Sequence, residues 1–187
     1  MSISCRQFQQ PDNTADEIND LFAGIEAAAS ASGVDERFIL AIIMQETGGC
    51  VRAPTSIGFV KNPGLMQDHN GTATCNSNHV KDGQLLWDGQ ASIPCPSDQI
   101  SAMILEGTSG TDSGNGLANC INTAAGLGGS GAEAYYWAAR IYNTGSYIAG
   151  SDLSAPPAGT SCYATDIANR LLGWAGPDSP CNLPNPY

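Results

Sequence analysis

The sequence predicts a mainly α fold in one domain, with long loops stapled by disulfides. Three observations carry that expectation. Apolar residues recur at helical spacing in six separate segments. A length of 187 residues suits one domain. Seven cysteines lie far apart along the chain, at 5, 50, 75, 95, 120, 162 and 181.

The first helix opens at Thr14, with Glu17 three residues later as a capping box. Ile18, Leu21, Phe22 and Ile25 follow on one face, and Gly33 closes the segment. Asp35 caps the second helix, which runs through Phe38, Ile39, Ile42, Ile43 and Met44 to Gly48-Gly49. It is apolar on nearly every face, as a buried central helix is. The stretch 49–97 reads as loop, rich in Gly, Asn, Asp and Pro, with a short strand around Ile57-Gly58-Phe59-Val60 as the one candidate. Ser97 caps a third helix carrying Ile100, Met103 and Ile104 and ending near Gly107. Leu117, Cys120, Ile121 and Ala124 mark a fourth; Tyr135, Ala138, Ala139 and Tyr142 mark a fifth, stopped by Gly145. Ala164, Ile167, Leu171 and Trp174 mark a sixth, ended by Gly176-Pro177.

The cysteines include no Cys-x-x-Cys pair, so they point to long-range disulfides in an oxidising compartment and away from a zinc site. The odd count leaves one thiol free or paired between chains. No basic segment followed by an apolar run opens the chain, which for a secreted protein implies a leader already removed. The longest dense apolar run, Phe38 to Met44, falls far short of the roughly 18 residues a membrane helix needs. A net charge of −11, from 18 acidic and 7 basic residues, excludes a basic patch for nucleic acid. It also repels an anionic bacterial wall, unless the working pH lies near the pI of about 4.2 or the glycan is neutral. No metal or other cofactor is expected, because His69 and His79 stand in the loop without a ligand constellation. A monomer is expected. Asn70-Gly71-Thr72 is a glycosylation sequon.

Glu46 is the most informative position. It continues the apolar stripe of Ile39 and Ile42 at i+7 and i+4, so its carboxyl extends a face that turns toward the core. Burial there raises a carboxyl pKa, and the negative end of the helix dipole pushes the same way. A carboxyl kept protonated at mildly acidic pH suits general acid catalysis on a glycosidic oxygen.

Gly64-Leu65-Met66-Gln67 begins 18 residues after Glu46, and Tyr142-Asn143 with Gly145 closes the fifth helix. In this order and on these elements, the trio resembles the lysozyme-like transglycosylase domain shared by soluble lytic transglycosylases and goose-type lysozymes. The stretch Ile100 to Thr108 is similar to that family's helix preceding the Tyr-Asn pair, so the likeness spans about residues 20 to 148. It implies a goose-type helical fold and a muramidase-like enzyme that cuts β-1,4 bonds of peptidoglycan or another N-acetylated polysaccharide. It implies Glu46 as the catalytic acid, with Met66, Gln67, Tyr142, Asn143 and Thr47 as substrate-binding residues. Tyr142 is expected to hydrogen-bond Glu46, and Asn143 to hold the nearby backbone. The family often has Ser after the Glu; Thr47 keeps the hydroxyl. Gly64 permits a tight turn that lets a sugar approach peptide groups closely, and the Gln67 amide can both donate to and accept from sugar groups.

An inverting hydrolase needs a second carboxylate to activate water. Asp68 follows Gln67 directly, one position earlier than the corresponding Asp of goose-type enzymes, and is the candidate; its other reading is a solvated turn residue. Lytic transglycosylases work with one Glu and release an anhydro sugar. The cysteine-rich composition favours a eukaryotic, fungal-type hydrolase. Chitin as the substrate, or a catalytically silent glycan-binding effector, are the competing expectations. Glu106 and Glu133 read as solvated or capping residues, with Glu106 within reach of the cleft as its alternative, and Cys50 and Cys75 bracket the motif region as candidates to staple its loop. Trp87, Trp137 and Trp174 read as core or stapling aromatics, with Trp87, in the long loop, as the best sugar-platform candidate.

Overall fold

In the computed structural model, which describes residues 1–176 and 178–184, the helical segments fold as α1 (Ala15–Ser32), α2 (Glu36–Glu46), α3 (Ser97–Ser109), α4 (Leu117–Gly126), α5 (Gly131–Thr144) and α6 (Tyr163–Leu171). A 3-10 turn, Ser4–Phe8, precedes them. The capping box forms as the sequence requires: Glu17 N–H donates to Thr14 Oγ1 at 3.1 Å, and Thr14 N–H to Glu17 Oε2 at 2.7 Å. Asp35 accepts from Arg37 N–H at 2.9 Å and starts α2. Phe38, Ile39, Ala41, Ile42 and Ile43 are all buried, so α2 is the central helix that its composition predicts. α1 packs on α3, α4 on α5, and α2 against α6.

The expected stops at Gly33 and Gly145 also form, both as left-handed C-caps, but two other end signals do not hold. Pro96, not Ser97, stands at the N-cap of α3, with no side-chain bond there. α6 stops at Leu171, three residues before Trp174. The predicted stop at Gly176-Pro177 is therefore not what ends it, and Pro177 lies outside the described residues. The Arg170 guanidinium sits 4.1 Å above the Trp174 ring, which holds the chain back against the helix it has left.

The loop-like stretch 49–97 contains a small sheet, which makes the fold mixed α and β instead of purely helical. Its strands are β1 (Thr55–Ile57), β2 (Lys61–Asn62), β3 (His79–Lys81) and β4 (Gln84–Leu86), in the order β2-β1-β3-β4. β1 pairs antiparallel with β2 and parallel with β3, which pairs antiparallel with β4. Elements of two or three residues are too short to show an alternating pattern. The strand expected at Ile57–Val60 ends at Ile57, and Gly58-Phe59-Val60 form the turn into β2. Asp82-Gly83 carried a usable signal: both have positive φ, 50° and 74°, as a two-residue hairpin turn demands.

Among the described residues the cysteines pair as Cys5–Cys50, Cys75–Cys95 and Cys162–Cys181, leaving Cys120 free and buried. Cys50 and Cys75 each hold a separate partner, so neither closes the motif loop on the other. Cys5–Cys50 ties the N-terminal turn to the chain just past α2. Cys162–Cys181 ties the first turn of α6 to the C-terminal segment. No described helix is long and apolar enough to cross a membrane.

Candidate active site

Glu46 is the last residue of α2, half-buried, with its carboxyl at the carbonyl end of the helix. Burial pushes its pKa up and a hydrogen bond from Tyr163 pulls it partly back, to about 7. That bond, Tyr163 Oη to Glu46 Oε1 at 2.5 Å, joins α6 to α2. Tyr163 is 3% exposed, and burial together with the neighbouring Glu46 charge raises its own pKa well above that of a free phenol. It is therefore a fixed donor throughout the range in which Glu46 titrates. Tyr163→Phe removes the contact that lowers the Glu46 pKa. The Glu46 midpoint is then expected above 7 in a carbon-detected carboxyl titration; an unchanged midpoint would show that the bond does not form in solution.

The Tyr-Asn pair has different roles from those expected. Tyr142 Oη donates to the Met66 carbonyl at 2.8 Å, not to Glu46, and so latches α5 onto the Gly-Leu-Met-Gln turn. It still lies close to the acids: burial, then the charges of Glu46 and Asp68, drive its pKa far upward. Asn143 Oδ1 accepts from Arg140 Nη1 at 2.9 Å and from Thr160 N–H at 2.8 Å. Arg140, 2% exposed, also donates to the Thr160 and Leu153 carbonyls. Together they hold the segment that leads into α6, and hence Tyr163. Asn143 does hold nearby backbone, as expected; Tyr163 and Arg140 were not foreseen.

Thr47 and Met66 are buried, at 1% and 0% exposure, and offer no side-chain surface to a substrate. Thr47 Oγ1 donates to the Leu65 carbonyl at 2.8 Å, locking the end of α2 to the motif turn. Met66 rests on Gly107 of α3, where an added Cβ would stand 2.5 Å from that of Met66. Both are positioning residues. Gly64 has φ of +71°, and a Cβ there would meet Met103 Cγ at 2.7 Å and the Ala73 carbonyl at 2.9 Å. Its smallness serves protein packing, not the approach of a sugar.

The remaining candidates divide between two hollows. Gln67, Tyr142 and Asn143 line a groove of about 730 Å³ with the β1–β2 turn, His69 and residues 111–115. Glu46 lines a separate hollow of about 320 Å³, with Gln7, Gln45, Gly48 and Arg170. Gln67, with φ of +47°, donates its amide nitrogen to the carbonyls of Pro54 and Gly64. Cys120 also lines the groove, but burial pushes its thiol to about 12, so it is inert.

Asp68 lines neither hollow. It is 3% exposed, and neither carboxyl oxygen finds a hydrogen-bond partner among the described residues. Burial, and then the nearby Glu106 charge, raise its pKa to about 7. Glu106 is not simply solvated, because it accepts from Thr72 N–H, Thr72 Oγ1 and Ala73 N–H and ties the motif loop to α3. A walled-in carboxyl that keeps its proton is badly placed to activate water, so the expected role of Asp68 as base is corrected. Trp87 is well exposed, yet it borders neither hollow, and Trp137 is core as expected.

Among the described residues no group of three or more His, Cys, Asp or Glu is placed to hold a metal ion. Comparison of the chain with protein-family models, with curated proteins and with solved structures found no match.

Proposed function

We propose that this protein is a secreted glycoside hydrolase of the muramidase type, on a lysozyme-like goose-type fold, cleaving β-1,4 bonds of peptidoglycan. The observation that carries this reading is the Glu46 carboxyl: at a helix end, half-buried, held by Tyr163 and keeping its proton up to about pH 7. Such a group can deliver its proton to a glycosidic oxygen as the bond to the anomeric carbon breaks, and water adds to that carbon and releases a proton that restores the carboxyl. The disulfides support an oxidising compartment, and hence secretion. Peptidoglycan is the expected partner, and no nucleic acid or membrane is invoked.

Glu46→Gln keeps the shape and removes the proton donor. Clearance of purified peptidoglycan near pH 5 is expected to fall by about 10²- to 10⁴-fold. In the wild type, the rate should be high where Glu46 is protonated and fall as pH rises through about 7. Wild-type clearance by the variant would remove Glu46 from the mechanism. No cleavage by the folded wild type of either peptidoglycan or chitin would replace the enzyme reading with a glycan-binding one.

The enclosure of Asp68 favours a second reading, lytic transglycosylation. Without an accessible second carboxylate, an internal hydroxyl of the substrate completes the displacement. Mass analysis separates the two: reducing ends support hydrolysis, and anhydro ends support transglycosylation.

A further inference from the structure

One face of the apolar helix α2 is left without full cover. Arg37, Leu40, Ala41 and Met44 recur at i, i+3, i+4 and i+7 and so stand in one row. Leu40 and Met44 in that row are only half-buried. With Leu171 at the end of α6 and Trp174 just beyond it, the row walls a trough of about 420 Å³. Among the described residues that line it, only Arg37 and Arg170 have polar side chains. Two of the seven basic residues in a chain of net charge −11 thus flank one apolar hollow.

Arg170 is held in place but keeps donors to spare. Its Nε donates to Gln45 Oε1 at 2.8 Å, and the Trp174 ring covers one face of the guanidinium at 4.1 Å. Stacking of this kind takes the face of the group and leaves the N–H donors on its edge. Nη1 is buried with no partner among the described residues, and Nη2 makes no hydrogen bond to them either. Asp166 is near enough to act on the Arg170 charge, yet it accepts from Ser179 Oγ at 2.7 Å and not from Arg170. A partly desolvated guanidinium with spare donors favours a carboxylate, which can take two of them at once. Arg37 is already engaged with Asp35 through Nε and Nη2. The anionic end of a ligand therefore belongs at Arg170.

The rest of that ligand must be apolar. A peptide would bring amide groups into a trough whose side chains offer them few partners, and burying each one costs free energy. A hydrocarbon chain brings none. Gln45, which holds Arg170, lies eight positions along α2 from Arg37. The trough therefore runs about 12 Å along the helix, which suits a straight chain of roughly eight carbons.

We propose that this trough binds a straight-chain fatty carboxylate of medium length, its head on the Arg170 guanidinium and its chain along Leu40, Met44, Leu171 and Trp174. The site is separate from the groove beside the β1–β2 turn and adjoins the Glu46 hollow, with which it shares Met44 and Arg170. It does not depend on the glycan-cleaving reading.

The test is a titration of octanoate into the whole protein near pH 6, where Glu46 keeps its proton, read by calorimetry and backbone amide shifts. Saturable one-to-one binding at millimolar ligand or below is expected, with shifts centred on Leu40, Met44, Leu171 and Trp174. Butyrate, with four fewer methylenes to bury, should bind at least about tenfold more weakly. Octylammonium, with the same chain and the opposite charge, should not saturate. Arg170→Gln should weaken octanoate binding by about tenfold or more, and Arg170→Lys should regain part of it. Because Arg170 also ties α6 to α2, a second variant leaves it in place. Leu40→Glu sets a carboxylate on the trough floor and should abolish binding while the amide spectrum shows the fold intact. Equal affinity for octylammonium, shifts that map elsewhere, unchanged affinity in either folded variant, or no binding of millimolar octanoate would each overturn the proposal.

Discussion

Arg52→Met is expected to destabilise the protein by about 3–5 kcal/mol, enough to unfold much of it at physiological temperature. Arg52 and Glu17 are 1% and 2% exposed and form an ion pair that water does not reach. Arg52 also donates to the Pro11 and Asp12 carbonyls, at 3.1 and 2.8 Å. Glu17 accepts from Cys95 N–H at 2.7 Å besides its capping bond to Thr14. One residue pair thus joins the N-terminal segment, the start of α1, the chain after α2 and the approach to α3. Removing the guanidinium leaves a buried carboxylate without its counter-charge and two carbonyls without their donors. Most of the expected cost is the penalty for that orphaned charge. The double variant Arg52→Met, Glu17→Gln is expected to regain part of it.

Acid sensitivity follows from the same pair. Burial raises the Glu17 pKa, but the Arg52 hydrogen bond and the Cys95 and Thr14 N–H groups outweigh it and hold the carboxyl at about 2. Its folded pKa lies below the unfolded value of 4.5, so its contribution is complete above 4.5 and lost as pH falls from there toward 2. Urea midpoints across that range measure the effect. A loss below about 1 kcal/mol in Arg52→Met, or an acid limb unchanged by it, would show that the pair is not the hub described.

Asp68→Asn is expected to act in the opposite direction, stabilising the protein at neutral pH while leaving it nearly unchanged near pH 4. The folded Asp68 pKa of about 7 lies above the unfolded 3.8. Between those values the unfolded chain has released a proton that the folded one still holds, so stability falls as pH rises through the window. The full cost above it is roughly 4 kcal/mol, and an amide avoids it by staying neutral. Glu46 adds a decline of the same sign between 4.5 and about 7. Against the acid limb of Glu17, the two place the stability maximum near pH 4 to 5. Thermal midpoints of wild type and Asp68→Asn from about pH 4 to 8 are the measurement. Parallel curves would mean that Asp68 ionises normally, at a more solvated site than the structure gives it. Peptidoglycan cleavage by the same variant near pH 5 should survive, since the amide mimics the protonated acid. Its loss in a folded, stabilised protein would restore Asp68 as the base.

Much of this fold is written in local spacing along the chain. The positions of the six helical segments, the capping box at Thr14 and Glu17, the buried α2 and the placing of Glu46 at its end were all legible. The 3.6-residue period and the cap chemistry act within a few turns of chain. Which residues meet across the chain depends instead on how distant segments pack. Tyr163 bonds Glu46 from 117 positions away, and no pattern near either residue signals that contact. Tyr142 was legible as a core-facing tyrosine, yet its hydroxyl reaches Met66 instead, because the choice between two nearby acceptors depends on how α5 seats against the motif turn. The sheet escaped because strands of two or three residues have no period to read. Asp68 reads as a solvated turn residue and is walled in, and Phe59 reads as strand and stands fully exposed. Exposure is set by what packs from elsewhere in the chain, and at both positions that overrode what the neighbouring residues suggest.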